Sequence, residues 1–174
     1  MNKLFANYPA KLTISTIGTE ANKSSKSVDT TYELQEDFYA IQGDVPAVCQ
    51  AAIMIVIEEG KTTICTGNPD ELPSSVNLNT LAPVYALLSN GPLAVPTGRI
   101  LVRFQESITA RNQKKELQGI GYIIDQELEY APQAAWVRAE NNDMAQGLNN
   151  ISLLELLPHM QHVEPQMLMP LSRK

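Results

Sequence analysis

The chain has 174 residues, is 44% hydrophobic and 18% charged, and carries a formal net charge of −6. That length suits one ordinary domain or two small ones. The negative balance argues against a nucleic-acid partner, because phosphates call for clustered Lys and Arg, and the pairs Lys114–Lys115 and Arg173–Lys174 are too short to supply them. The longest apolar stretch, Ala51–Ile57, is of strand length, well under the roughly 18 residues of a membrane-spanning helix, so no membrane partner is expected. The N-terminal segment MNKLFANYPAKLTIS lacks the sustained apolar core of a secretory signal. A cytoplasmic location is the default; a trimmed secreted or periplasmic chain would read the same way.

In chain order, Lys11–Ile17 alternates Leu12 and Ile14 and predicts a strand, and polar Gly18–Thr30 predicts a loop. Tyr32–Ile41 fits a strand or a short helix. Ala52–Ile57 and Thr62–Thr66 are rich in β-branched residues and flank Glu58-Glu59-Gly60-Lys61, the pattern of a β-hairpin. Thr80–Leu88 reads as a helix, with Thr80 as cap, Pro83 in the first turn and Leu81, Val84, Leu87 and Leu88 as the apolar stripe. Asn90-Gly91-Pro92 ends it, and the chain divides near 95 or 96.

Beyond that boundary the elements follow in a clear order. Arg99–Phe104 predicts a strand, Thr109–Gln118 a helix, Tyr122–Tyr130 and Ala134–Ala139 two strands. Asn142 or Asp143 caps a second helix reaching Leu157 before Pro158, and His162–Glu164 makes a last short strand. The expected fold class is α+β: a ferredoxin-like β-α-β-β-α-β sandwich over 96–174, after a mixed α/β or β-rich region over 1–95. In such a sandwich the helices cover one sheet face and leave the other open. Period 2 assigns Ile100, Val102, Phe104, Tyr122, Ile124, Leu128, Tyr130, Ala135, Val137 and Ala139 to the core. Leu101, Arg103, Ile123, Asp125, Glu127, Glu129, Trp136 and Arg138 then point outward. An aromatic residue beside apolar and charged groups suits a binding face.

Three segments carry a family resemblance. Gly98–Phe104 resembles the opening strand of subtilisin-type (subtilase) protease pro-domains. Leu128–Arg138 resembles their central hairpin. Leu154–Pro158 followed by His162-Val163-Glu164-Pro165-Gln166 resembles their helix end and last strand. The resemblance covers about 70 residues and leaves 1–95 untouched. It implies a non-enzymatic chain that binds, inhibits or chaperones a subtilisin-type serine protease. The open sheet face would pack on two surface helices of the protease, with Glu127, Glu129 and Glu164 near the helix N-termini, where anions are favoured. The segment Gln166, Met167, Leu168, Met169, Pro170 and Leu171 would enter the active-site cleft as a substrate-like strand. The Asp, His and Ser motifs of the protease itself are missing, and no Gly-x-Ser-x-Gly element occurs.

No catalytic, cofactor or metal site is expected. His159 and His162 have no Cys or third His near them in sequence, and Cys49 and Cys65 are the only cysteines. Two buried thiols and a disulfide both remain open for that pair. RNA can dock on the open face of this fold plan, but here Trp136 is the lone aromatic and carboxylates outnumber basic groups. The alternative to protease binding is a structural or adaptor domain, its open face covered by the N-terminal region or by a second copy.

Overall fold

The structure, a computed structural model, describes residues 2–14, 29–57, 61–88 and 90–171. Most of the expected loop at 18–30, the turn residues Glu58 and Glu59, and the pair Arg173–Lys174 lie outside the described residues. The fold is α+β, mainly antiparallel sheet with a few short helices. The strands are β1 (Lys11–Ile14), β2 (Thr30–Gln42), β3 (Ile53–Ile57), β4 (Thr62–Thr66), β5 (Leu81–Leu87), β6 (Leu93–Phe104), β7 (Tyr122–Glu127), β8 (Ala134–Ala139) and β9 (Met160–Leu168). The helices are α1 (Lys114–Gly119), α2 (Met144–Asn149) and α3 (Ile151–Glu155). No helix among the described residues is long and apolar enough to cross a membrane.

Two compact units emerge. One comprises Met1–Lys11, Tyr32–Pro96 and Met167–Lys174; the other comprises Leu12–Thr31 and Thr97–Gln166. Among the described residues, the C-terminal stretch Met167–Leu171 groups with the first unit.

In the first unit the strand order is β3-β4-β2-β5, with the start of β6 beside β5. The β3–β4 hairpin is antiparallel, with Ile57 opposite Thr62. Segment 80–88 corrects the helix expected there: Leu81–Leu87 is strand β5, and Leu81 to Ala86 are all buried. Successive residues point to opposite faces and all six are buried, so both faces of this strand are covered and the alternation that marks a half-exposed strand is erased. The leucine and valine spacing then imitates a helix. Pro83 is accommodated by an irregularity: Gln35 pairs with Val84 and Ala40 with Ala82, so Glu36–Tyr39 bulge away where Pro83 could offer no N–H. One core cluster gathers Phe5, Tyr39, Ile41, Cys49, Cys65, Val76 and Leu81; another gathers Ala40, Ile57, Ile64, Ala82, Val84 and Val95, with Leu168 against it. Cys49 and Cys65 are free, buried thiols.

In the second unit β8 lies between β6 and β7, and β9 pairs with β6. Ile100, Val102, Phe104, Tyr122, Ala135 and Val137 form its core with Leu117, Leu154 and Val163. A short 3-10 turn, Ala110–Gln113, leads into α1. The second helix is shorter than expected and divides at Asn150 into α2 and α3; Asp143 caps α2 by accepting from the Gln146 N–H. Strand β7 stops at Glu127, not Tyr130. A turn follows, with Ala131 N–H donating to Leu128 O (3.1 Å) and Ala134 N–H to Ala131 O (2.8 Å). Tyr130, expected in the core, is therefore 85% exposed.

Candidate functional site: the sheet face around Trp136

Three strands build this face. β6 and β8 run antiparallel with Ile100 opposite Val137 and Leu101 opposite Trp136. Ile100, Val102, Ala135 and Val137 are fully buried on one side, so Leu101, Arg103, Trp136 and Arg138 project from the other. Leu101, Trp136 and Arg138 are half-buried and Arg103 is exposed. From β7, Ile123 joins them opposite Arg138.

A β-bulge then changes the phase of β7. Ile124 pairs with Val137, but the next ladder pair is Gln126 with Trp136, followed by Glu127 with Ala135. The inserted residue brings both Asp125 and Gln126 to the Trp136 side. Glu127, expected outward by strict alternation, is shifted to the side of Ala135. There it meets Arg111 from the 3-10 turn, with Nη2 2.7 Å from Oε2. Glu129 leaves the face for a different reason: it lies in the turn beyond the end of β7.

Arg99, absent from the sequence-based candidates, organises the face. Its guanidinium carbon stands 5.2 Å from the centroid of the Trp136 ring, a cation–π arrangement. Its Nη2 donates to Gln126 Oε1 at 2.6 Å. Its Nε lies 2.9 Å from Asp125 Oδ2, an ion pair off the N–H axis that completes no hydrogen bond. Asp125 also accepts from Arg138 Nε through Oδ1 at 3.2 Å, so one carboxylate serves two guanidinium groups. Arg138 Nη1 donates to Asn142 Oδ1 and, at 3.3 Å, to Ala139 O. Asn142 is held at a φ of 59°, in the left-handed region that Asn tolerates. The signal for Arg99 was legible in principle: it has the parity of Leu101 and Arg103, one step earlier on the same strand.

Gly98 makes the entry to this face possible. Its φ is +88°, and an added Cβ would lie 3.5 Å from the Met144 side chain. Thr97 beside it donates through Oγ1 to Gln166 Oε1 at 2.8 Å.

The C-terminal candidates are placed differently from the expected free tail. Gln166, Met167 and Leu168 belong to β9, and Leu168 packs against the core cluster around Val95. Because β9 pairs with β6, these three residues are part of the sheet and not a free tail. Met169 follows the strand and is exposed. Glu164 is exposed on β9, its Oε2 2.9 Å from His162 Nε2. His159 stands apart from that pair, with a φ of 66° and its carbonyl accepting from Gln105 N–H at 2.9 Å. Among the described residues, no group of three or more His, Cys, Asp or Glu is arranged to hold a metal ion.

Comparison of the chain with protein-family models, with curated proteins and with solved structures finds no match.

Proposed function

We propose that the chain is a non-enzymatic protein-binding module, and that its partner is a subtilisin-type serine protease engaged through the sheet face around Trp136. The observation that carries this reading is the strand arrangement of the second unit. The order β9-β6-β8-β7, with a helical segment between β6 and β7 and another between β8 and β9, fits the ferredoxin-like split β-α-β plan. Two of the three stretches resembling subtilase pro-domains supply that face: Gly98–Phe104 forms most of β6, and Leu128–Arg138 ends in β8. Half-buried Leu101, Ile123 and Trp136 provide apolar area, ringed by Arg99, Asp125 and Arg138, a composition suited to a protein partner. The proposal rests on contact through this face, because Gln166, Met167 and Leu168 lie in β9 and form no free tail.

Titration of the chain against several subtilisin-type proteases, with chymotrypsin-like enzymes as controls, tests it. Inhibition confined to the subtilisin type is expected, and Trp136→Ala should weaken it at least tenfold, as befits a central aromatic anchor. Removing Met169 onward should change little. If neither inhibition nor binding occurs with any member, the protease reading fails.

One observation favours a second reading. Arg99, Asp125 and Arg138 already satisfy one another across the face, and a self-contained network of this kind also suits an adaptor or oligomerisation surface. A molecular mass in solution above that of one chain, lowered by Trp136→Ala, would support it.

A further inference from the structure

The first unit contains a small cavity of about 150 Å³, set between the N-terminal segment and β2. Its walls include Asn2, Phe5, Tyr8, Leu34, Gln35 and Glu36. The cavity adjoins the place where Glu36–Tyr39 bulge away from β5 opposite Pro83. The N-terminal segment is anchored over it from two sides: Tyr85 Oη donates to Pro9 O at 2.9 Å, and Leu34 N–H donates to Ala10 O at 2.9 Å. Neither the cavity nor its lining belongs to the face around Trp136.

Asn2 is 6% exposed, and its Nδ2 has no hydrogen-bond partner among the described residues. Its amide orientation is set by chemistry: Oδ1 accepts from the Phe5 N–H at 3.3 Å, which leaves the NH₂ group as the unused end. A buried amide donor without a partner is costly, and such groups in folded proteins are ordinarily satisfied by protein, water or ligand. The Phe5 and Tyr8 rings meet edge to face, centroids 5.7 Å apart, and with Leu34 they make the apolar part of the wall. Glu36 is the one ionisable carboxylate of the lining, and the lining holds no Lys, Arg or His to compensate an anion.

We propose that this cavity is a binding site for a small neutral aromatic molecule bearing a carbonyl or amide oxygen. Its ring packs among Phe5, Tyr8 and Leu34, and its oxygen accepts from Asn2 Nδ2. The volume is that of a single six-membered ring with a short substituent, on the scale of cavities known to take benzene. The donor demands an acceptor, and the absence of a cation in the wall selects against carboxylates.

Benzamide is the probe, followed by the amide signals of the ¹⁵N-labelled full chain, with toluene and benzoate as comparators. Saturable shifts of the Asn2 side-chain NH₂ are expected with benzamide, and binding of toluene and benzoate at least tenfold weaker. Asn2→Asp keeps the oxygen that accepts from Phe5 N–H and removes the donor; it should weaken benzamide about tenfold or more. Leu34→Trp should abolish binding by filling the space. No shift up to the solubility limit means that water alone fills the cavity, and overturns the proposal. Equal affinity for toluene, or an Asn2→Asp chain that binds benzamide unchanged, overturns it as well.

Discussion

Arg111 closes on Glu127 with two nitrogens, Nη2 standing 2.7 Å from Oε2 and Nε 3.0 Å from Oε1. The hydrogen bonds from Arg111 hold the Glu127 carboxyl below its ordinary value of 4.5. The pair ties the turn before α1 to the end of β7, next to the bulge that re-aims this strand. A depressed carboxyl contributes stability above its unfolded value, and that contribution is lost as pH falls through the lower, folded value. Arg111→Ala should therefore move the Glu127 titration midpoint upward, read from its carboxyl ¹³C shift. The effect on stability should be slight, because both groups are open to solvent. An unmoved midpoint would show that the ion pair is not formed in solution.

Trp136 is the only tryptophan, so its fluorescence reports on the candidate face alone. Arg99→Ala removes the cation above the ring and the contacts to Asp125 and Gln126. The indole should become more accessible to acrylamide, and urea denaturation should show a loss of about 1 kcal/mol. Arg99→Lys should restore only part of this, since an ammonium cannot stack flat on the ring while reaching both partners. Quenching identical to the parent chain would contradict the stacked arrangement.

Tyr122 donates from its buried hydroxyl to Gly147 O at 2.5 Å, fastening β7 to α2. Burial pushes its phenol well above the ordinary range. Tyr122→Phe should cost about 1 kcal/mol in denaturant unfolding, the net value of one such bond, without changing the fold. Gly147→Val tests the same junction sterically: even a bare Cβ at this position would lie 3.4 Å from the Ala139 Cβ, so the added methyl groups should cost more than the lost hydroxyl.

Burial raises the Cys65 thiol, and Cys49 raises it further, while a hydrogen bond from Tyr39 opposes them. Both thiols are fully buried in one core cluster. A thiol reagent at neutral pH should label neither at an appreciable rate in the native chain, and both once the chain is denatured. Rapid labelling without denaturant would mean that this core opens readily, and absence of labelling in denaturant would mean that the two are oxidised.

Much of the second unit was legible because its strands are half-exposed. From Ala135 onward Ala134–Ala139 alternates, so its extent and the buried set Ala135, Val137 and Ala139 could be read, and the same holds for Ile100, Val102 and Phe104. The candidate face followed from that parity. Glu127 did not, because a bulge inserts one residue and no period-2 count can anticipate it. Arg99 was missed for a lesser reason: it opens the strand expected from sequence, whereas β6 begins at Leu93 and carries Arg99 in its interior with the parity of Leu101 and Arg103. In the first unit Thr80–Leu88 failed differently, since a strand covered on both faces loses its alternation and a proline in it looks like a helix start.

Sequence alone determined which stretches could bury an apolar face and, to within a few residues, where most turns fall, because local periodicity, glycine, proline and capping residues act over a few neighbouring positions. It also determined the acidic balance and the lack of clustered cations. Tertiary structure decided the rest. It packed Leu168 against a core cluster and set Gln166 against Thr97, where a free tail was expected. It turned Glu127 toward Arg111 and gathered Asp125 between Arg99 and Arg138. It left the Asn2 amide buried without a partner beside a cavity. Each of these depends on residues far apart in the chain, whose meeting is governed by ladder register and bulges and not by any local pattern.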